Sequence, residues 1–388
     1  MGTASTATAT RCSSYELLTT AGAARRGVLR LPHGEVQTPA FMPVGTSGAV
    51  KGLLPSEVQR VGAEMILANT YHLWVRPGHE RIRELGGLHT FMGWDRPILT
   101  DSGGFQAFSY RGDKSKVKEE GIRFLSEVDR QWRFLTPEVC VDIQEALGVD
   151  VAMALDECIE KEADRRRVVE STRRTTRWLK RCLAHRKHPE RTALFGIVQG
   201  GFHKDLRLEH AGLLRDLDLD GYAIGGVSVG EGRAKMLATV EIVAPELPVD
   251  RVRYLMGVGT PLDIIEAVSR GVDIFDCVLP TRTARFGYLF TRNGKLCLKH
   301  SRFKDDPRPI DPGNTCYTLR PFSRAYLRHL FKTGDVLAPR LLSLHNLDFY
   351  QRLMNDIRVA IETGPEALDA LRREAARWEE PYQDPDDS

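Results

Sequence analysis

The stretch Gly271-Val-Asp-Ile-Phe-Asp-Cys-Val-Leu-Pro-Thr-Arg-Thr-Ala-Arg-Phe-Gly287 runs from a short apolar segment into a carboxylate, Asp276, and then into an Arg-x-x-Arg pair, Arg282 and Arg285. Val272 to Phe275 has the length and composition of a buried strand. Seven earlier segments read the same way: Thr38 to Val44, Glu64 to Ala68, Pro97 to Thr100, Asp150 to Leu155, Ala193 to Val198, Gly221 to Ile224 and Arg253 to Met256. Helical patterns fill most of the gaps, as at Pro55 to Val61, Pro137 to Leu147, Asp205 to Leu217 and Pro261 to Ser269. Strands alternating with helices predict a parallel sheet, and eight of them predict an α/β fold closed as a (β/α)8 TIM barrel.

Polar or glycine residues follow nearly every strand: Asn69-Thr-Tyr-His72, Asp101-Ser-Gly-Gly104, Asp156-Glu-Cys158, Gln199-Gly-Gly201, Gly225-Gly-Val-Ser228, Gly257-Val-Gly-Thr260 and Asp276-Cys277. The C-terminal ends of barrel strands are where such folds carry their chemistry. A lone strand-end aspartate most simply caps the next turn. Three of them, Asp101, Asp156 and Asp276, point to one shared mouth.

The alternation breaks twice. Gly112 to Leu135 reads as a hairpin insertion, and Phe286 to Leu344 as a basic insertion before a helix from Leu347 to Glu362. This gives a leader over 1–14, a barrel domain over 15–371 holding insertions 112–135 and 286–345, and a C-terminal tail over 372–388 whose acidic end, Glu379 to Ser388, reads as disordered.

Composition narrows the class. The chain is 42% hydrophobic, which suits a globular core, and no segment approaches the roughly 18 apolar residues of a membrane helix. The Ala/Ser/Thr-rich N-terminus lacks the basic and apolar regions of a secretion signal, and seven scattered cysteines form no disulfide framework, so a cytoplasmic location is expected. Charge is uneven. From Thr281 to Arg340 nine Arg and four Lys face four Asp, a net of +9, and the total of +3 leaves the remainder at −6. A basic segment on an acidic body is the footprint of a polyanion-binding surface. The Arg/Lys-rich stretch Arg165 to Arg191 carries Val168, Val169, Trp178 and Leu179 at helical spacing and reads instead as a solvated helix face.

The residue types suggest a division of labour. Ser102, Gly103 and Gly104 let the backbone approach a flat ligand closely. Asp156 can accept two parallel hydrogen bonds from an amidine-like edge, which guanine offers at N1 and its exocyclic amine. Gln199 and the amides near Gly225 and Gly226 can serve the carbonyl side of the same base. Asp276 then faces the ribose anomeric carbon, and a nucleophilic carboxylate paired with an acid/base carboxylate is the retaining-glycosidase arrangement.

On these motifs the chain resembles the tRNA-guanine transglycosylases from about Tyr15 to Leu371. The resemblance rests on Asn69-Thr-Tyr-His-Leu73, Arg76-Pro-Gly78, Phe91-Met-Gly-Trp-Asp95, Leu99-Thr-Asp-Ser-Gly-Gly-Phe-Gln106, Asp156-Glu-Cys158, Gln199-Gly-Gly201, Gly225-Gly226, Met256-Gly-Val-Gly259 and Phe275-Asp-Cys-Val-Leu-Pro-Thr-Arg282. It implies exchange of guanine at the wobble position of GUN-anticodon tRNAs (those for Asp, Asn, His and Tyr) for a 7-deazaguanine. Asp276 would be the nucleophile and Asp101 the general acid/base. Asp101 to Phe105, Asp156, Gln199, Gly226 and Met256 would bind the base, with Phe105 and Met256 sandwiching it. Gly257, Val258, Gly259, Thr260, Pro261, Leu262 and Asp263, together with Thr281, Arg282, Thr283, Ala284 and Arg285, would contact RNA. Cys158 and Val229 resemble the bacterial form, which takes preQ1, whereas Ser228 and Thr283-Ala-Arg-Phe-Gly287 resemble the eukaryotic form, which takes queuine. The expected base is preQ1, with queuine as the alternative and a small-molecule barrel glycosidase as a further one. A homodimer is also implied.

The family carries a Cys3His zinc site in its insertion. Aligned on Ser323-Arg-Ala-Tyr326, this chain offers Asn314, Cys316, Leu319 and His345, so two of the four ligands are lost. No cofactor is therefore expected, with Leu319 packing as an apolar residue. Cys297 and His300 lie near enough in sequence to be considered as substitutes.

Overall fold

The computed structural model describes residues 11–109, 115–160, 163–311 and 321–383. It opens with a three-stranded antiparallel sheet of β1 (Ser14–Ala21), β2 (Ala24–Leu31) and β3 (Gly34–Thr38). The barrel follows: β4 (Ala40–Met42), β5 (Ile66–Asn69) and β6 (Ile98–Asp101) come first. An inserted antiparallel sheet of β7 (Ser115–Val117), β8 (Ile122–Leu125) and β9 (Trp132–Leu135) interrupts it. The barrel then continues with β10 (Val151–Met153), β11 (Ala193–Val198), β12 (Gly221–Ile224), β13 (Val252–Leu255) and β14 (Ile274–Asp276).

These eight barrel strands are parallel, in the order β4-β14-β13-β12-β11-β10-β6-β5. A parallel bridge from Val44 to Leu67, with the Leu67 amide donating to the Pro43 carbonyl at 3.0 Å, joins the last strand to the first. The expected TIM barrel is therefore present, its strands within a few residues of the segments read from sequence.

Strand alternation decides which side chains meet inside. Met42, Leu67, Leu99, Met153, Phe195, Ile197, Ala223, Tyr254 and Ile274 pack together as the barrel interior. Their neighbours Phe41, Ile66, Ile98, Ala152, Leu194, Tyr222 and Phe275 belong to the outer core beneath the helices. With a period of two, the interior row continues from Leu67 to Asn69, Leu99 to Asp101, Ile197 to Gln199, Tyr254 to Met256 and Ile274 to Asp276. The polar strand ends are thus the top layer of the barrel core.

The N-terminal sheet was not foreseen. The strand expected over Thr38 to Val44 divides at Pro39, so that Thr38 ends the antiparallel sheet and Ala40 begins the barrel. Tyr15, Leu29, Leu31 and Val36 join the interior core from the N-terminal end, closing the barrel opposite its polar mouth. There the buried Asp273 accepts the Tyr15 hydroxyl at 3.1 Å and lies 3.2 Å from Arg25 Nε.

Two boundaries also move. The helix expected from Leu347 spans Leu337–Thr363, so the end of the expected insertion belongs to it. Residues 372–377, read as tail, complete the helix Pro365–Arg377, and Trp378 and Tyr382 are buried after it. The leader falls largely outside the described residues, although Arg11 pairs with Asp218. No helix among the described residues is long and apolar enough to cross a membrane.

Tyr15→Phe removes the hydroxyl between Asp273 and Thr38 Oγ1 while keeping the ring. It is expected to lower stability in denaturant unfolding by about 1–2 kcal/mol, leaving turnover near wild type because the change lies at the closed end.

Candidate active site

Asp276 ends β14 with its carboxylate at the mouth. Oδ1 accepts the Tyr254 hydroxyl at 2.5 Å and the Gly257 amide at 2.8 Å. Oδ2 has no hydrogen bond among the described residues, which leaves one oxygen fixed and the other available to attack. Desolvation raises the Asp276 pKa, and the tyrosine and the amide oppose that rise by stabilising the anion.

Asp101, on β6, is held differently. Oδ1 accepts the Thr70 amide at 3.0 Å, and Oδ2 accepts from Asn69 Nδ2 and, at 3.2 Å, from Gln106 Nε2. Desolvation and the neighbouring charge of Asp276 push its pKa up to about 7 against these donors. One carboxylate anchored as an anion beside another poised near neutrality is the separation of roles that nucleophile and acid/base require.

The third aspartate lies deeper. Asp156 Oδ1 accepts from Ser102 Oγ at 3.2 Å and Oδ2 from Gln199 Nε2 at 2.8 Å, while Cys158 Sγ stands 3.7 Å from Oδ2. Burial raises its pKa. The next residue, Glu157, turns the other way into ion pairs with Arg167 and Arg174, which pins the loop so that only Asp156 enters the site. Two glycines are sterically required. A Cβ on Gly104 would stand 2.9 Å from the Asp156 carbonyl oxygen, and one on Gly226, whose φ is +66°, would stand 2.5 Å from Gln199 Oε1. Phe105 is 52% exposed and Met256 half-buried, both following strands that end at this mouth. A hollow adjoins Gln199 and Gly226 and is lined further by Ile159, Phe202, His203 and Val229. Another lies between the helices Arg165–His185 and Lys204–Arg215 and includes none of the three aspartates.

The expected RNA-contacting residues divide by exposure. Gly257 and Arg282 are exposed, and Thr260, Leu262, Asp263, Thr283 and Arg285 are partly so. Val258, Gly259, Pro261, Thr281 and Ala284 are buried and support the surface instead of forming it, because both segments enter helices, Pro261–Val268 and Leu279–Arg285, whose inner faces pack. Tyr254 escaped the sequence reading, which quoted Asn69 and Thr70 in a strand-end motif without giving them a role. Tyr254 could have been found from its place two residues before Met256 on the interior row.

Of the family's metal positions, Asn314, Cys316 and Leu319 lie outside the described residues. His345 is buried, with Nε2 2.8 Å from the Phe290 carbonyl oxygen. An asparagine and a leucine at two of the expected ligand positions do not fit a Cys3His zinc set. Among the described residues one other cluster has ligand-like spacing: His33, His89 and Asp150. It sits at the N-terminal end of β10, away from the mouth. The two rings stack at 3.6 Å, and each bonds a different oxygen of Asp150, which also accepts the His33 and Ile98 amides, so the cluster reads as a hydrogen-bonded clamp.

The chain is similar in sequence to known proteins along most of its length. The sequence model of the family described as queuine tRNA-ribosyltransferase matches residues 20–379. A queuine tRNA-ribosyltransferase of Nitrosospira multiformis is 54% identical over 351 residues, covering 90% of this chain and 95% of that protein. One of Nitrosomonas eutropha is 56% identical over 342 residues, covering 88% and 94%. One of Francisella tularensis is 50% identical over 351 residues, covering 90% and 95%.

Tyr254→Phe removes a donor that favours ionised Asp276. The acid limb of the kcat/KM profile should move to higher pH, and kcat should fall about tenfold. An unmoved acid limb would show that the hydroxyl does not tune this carboxylate.

Proposed function

The chain belongs to the queuine tRNA-ribosyltransferase family, a group of tRNA-modifying pentosyltransferases, and from that premise we propose that it exchanges guanine at the wobble position of GUN-anticodon tRNAs for preQ1. The observation that carries the proposal is the pairing of Asp276, with one oxygen tied and one available, with Asp101 near neutrality. Asp276 attacks the ribose C1′ and the bond to guanine breaks. The bond electrons leave with the base, which takes a proton from Asp101. The incoming base returns a proton to Asp101 and attacks C1′ in turn, displacing Asp276. The RNA backbone is never cut.

In this reading Asp156 holds the N1 and amine edge of the base, Gln199 and Gly226 serve its carbonyl side, and Phe105 and Met256 cover its faces. Arg282 and Arg285 hold the anticodon loop, whose unpaired bases can be splayed outward for such recognition. Cys158 and Val229 favour the small aminomethyl base. The hollow beside Val229, which is 40% exposed, favours queuine as the second reading. We further propose that the insertion binds no zinc and that the enzyme is a homodimer.

Incubation of a GUN-anticodon tRNA with labelled guanine, preQ1 or queuine should give exchange with guanine and preQ1, and preQ1 should outcompete queuine. Asp276→Asn should lose the trapped covalent RNA adduct and about a thousandfold or more in turnover. A normal adduct from this variant would remove Asp276 from the nucleophile role. The kcat/KM profile should fall on the alkaline side as Asp101 loses its proton near pH 7, and Asp101→Asn should abolish that limb. Elemental analysis should find zinc well below one per chain; a stoichiometric content would reverse that part of the proposal.

A further inference from the structure

The helix Lys204–Arg215 runs behind the loops that follow β11 and β12, and its inner face carries two buried polar residues, Arg207 and His210. Arg207 is 1% exposed, and no carboxylate pairs with it among the described residues. Its guanidinium reaches three backbone carbonyls instead. Nε donates to Gly201 at 2.7 Å, and Nη1 donates to Val198 and to Gly225, each at 2.8 Å. Val198 and Gly201 bracket Gln199, and Gly225 precedes Gly226. One planar cation therefore ties together the two loop starts that hold the carbonyl side of the base pocket. Among the described residues Nη2 has no hydrogen-bond partner, and it would lie 3.3 Å from a Cβ on Gly226. One turn further along, His210 Nδ1 accepts the Gln199 amide at 2.8 Å. Burial pulls the His210 pKa down to about 4, which keeps the ring neutral and able to accept.

A buried arginine that no carboxylate contacts among the described residues, Glu231 acting on it only at a distance, is a costly way to fill space, since an apolar side chain of similar volume would pack there with less desolvation. Arginine supplies several donors in a fixed plane, so that three carbonyls from two loops can be held at set distances. Lysine presents one point charge on a flexible stem. We propose that Arg207 is a positioning residue that sets the spacing of Gln199 and Gly226 and through it the affinity of the site for the free base. This rests on the reading of those two residues as base-recognition groups.

The test compares wild type with Arg207→Lys, Arg207→Gln and Gln199→Ala. It uses labelled guanine as the free base, filter binding for tRNA and circular dichroism for folding. In folded Arg207→Lys or Arg207→Gln the KM for guanine should rise about tenfold or more, while the tRNA Kd stays near wild type. Arg207→Lys, which keeps the charge, should not restore the base KM, because the loss is of geometry. A folded variant with unchanged base KM, or with base KM and tRNA Kd rising together, overturns the proposal. So does failure of both Arg207 variants to fold, which would assign the residue to barrel stability. If wild type exchanges no guanine, or Gln199→Ala leaves the base KM unchanged, the underlying site reading fails. If Gln199→Ala raises it and the Arg207 variants do not, this inference alone fails.

Discussion

Asp101 and Asp276 share one barrel mouth, and the negative charge of Asp276 makes Asp101 harder to ionise. Two carboxylates brought together in a poorly solvated place would normally both take up protons. Here they are supported unequally. Asp276 receives a hydroxyl and a backbone amide on one oxygen, and its other oxygen stays accessible to a substrate. Asp101 receives donors on both oxygens but stands in the field of its partner, so its proton is exchangeable near pH 7. The proposed chemistry depends on this asymmetry, and the surrounding fold can be understood as what maintains it.

Maintenance begins with closure of the sheet. Once the first and last strands meet at Val44 and Leu67, the row of side chains facing the axis is fixed, and a shift of one residue in any strand would turn its polar end into the outer core. Tyr254 shows the economy of this frame: its ring belongs to the barrel interior, and its hydroxyl is the donor to Asp276. The opposite mouth is filled by the N-terminal sheet, whose Tyr15 and Arg25 satisfy Asp273 at the start of the strand that ends in Asp276. A carboxylate at each end of one strand is thus satisfied by a different layer of the protein.

Much of this was legible because barrel strands are short apolar runs whose boundaries are marked by polar residues, as at Leu99-Thr-Asp101 and Ile274-Phe-Asp276. The N-terminal sheet was not, because β1 and β2 lack a clean two-residue alternation: Leu17-Leu18 and Thr19-Thr20 interrupt it in β1, where the register also shifts, and Arg25-Arg26 in β2. Burial at Thr281 and Ala284 was missed for another reason. A motif indicates which residues occur together but not which face of a short helix looks inward, and both residues are buried on the helix that packs against Leu337–Thr363. Arg207 and His210 were hidden in an ordinary amphipathic helix, since a buried arginine bonded to carbonyls leaves no trace in sequence.

Charge counting in the basic insertion also needs the structure to interpret it. Several of the cations that give Thr281 to Arg340 its net +9 are consumed internally. Arg308 and Arg324 both bind Asp306 and, against the cost of its burial, hold its pKa down to about 2. Arg324 also reaches the Pro309 carbonyl and the Tyr382 hydroxyl, which ties the insertion to residues beyond the C-terminal helix. Arg292 binds Asp356, and Arg340 binds Glu57. A buried arginine that spans an acid, a carbonyl and a phenol can hold loop segments together as a metal does, using donors where zinc would use ligands. Fewer cations are then left for the proposed polyanion surface than the formal charge suggests. Arg282, exposed and without an ion pair among the described residues, lies six residues after Asp276 and is the cation that the proposed function sets against a backbone phosphate.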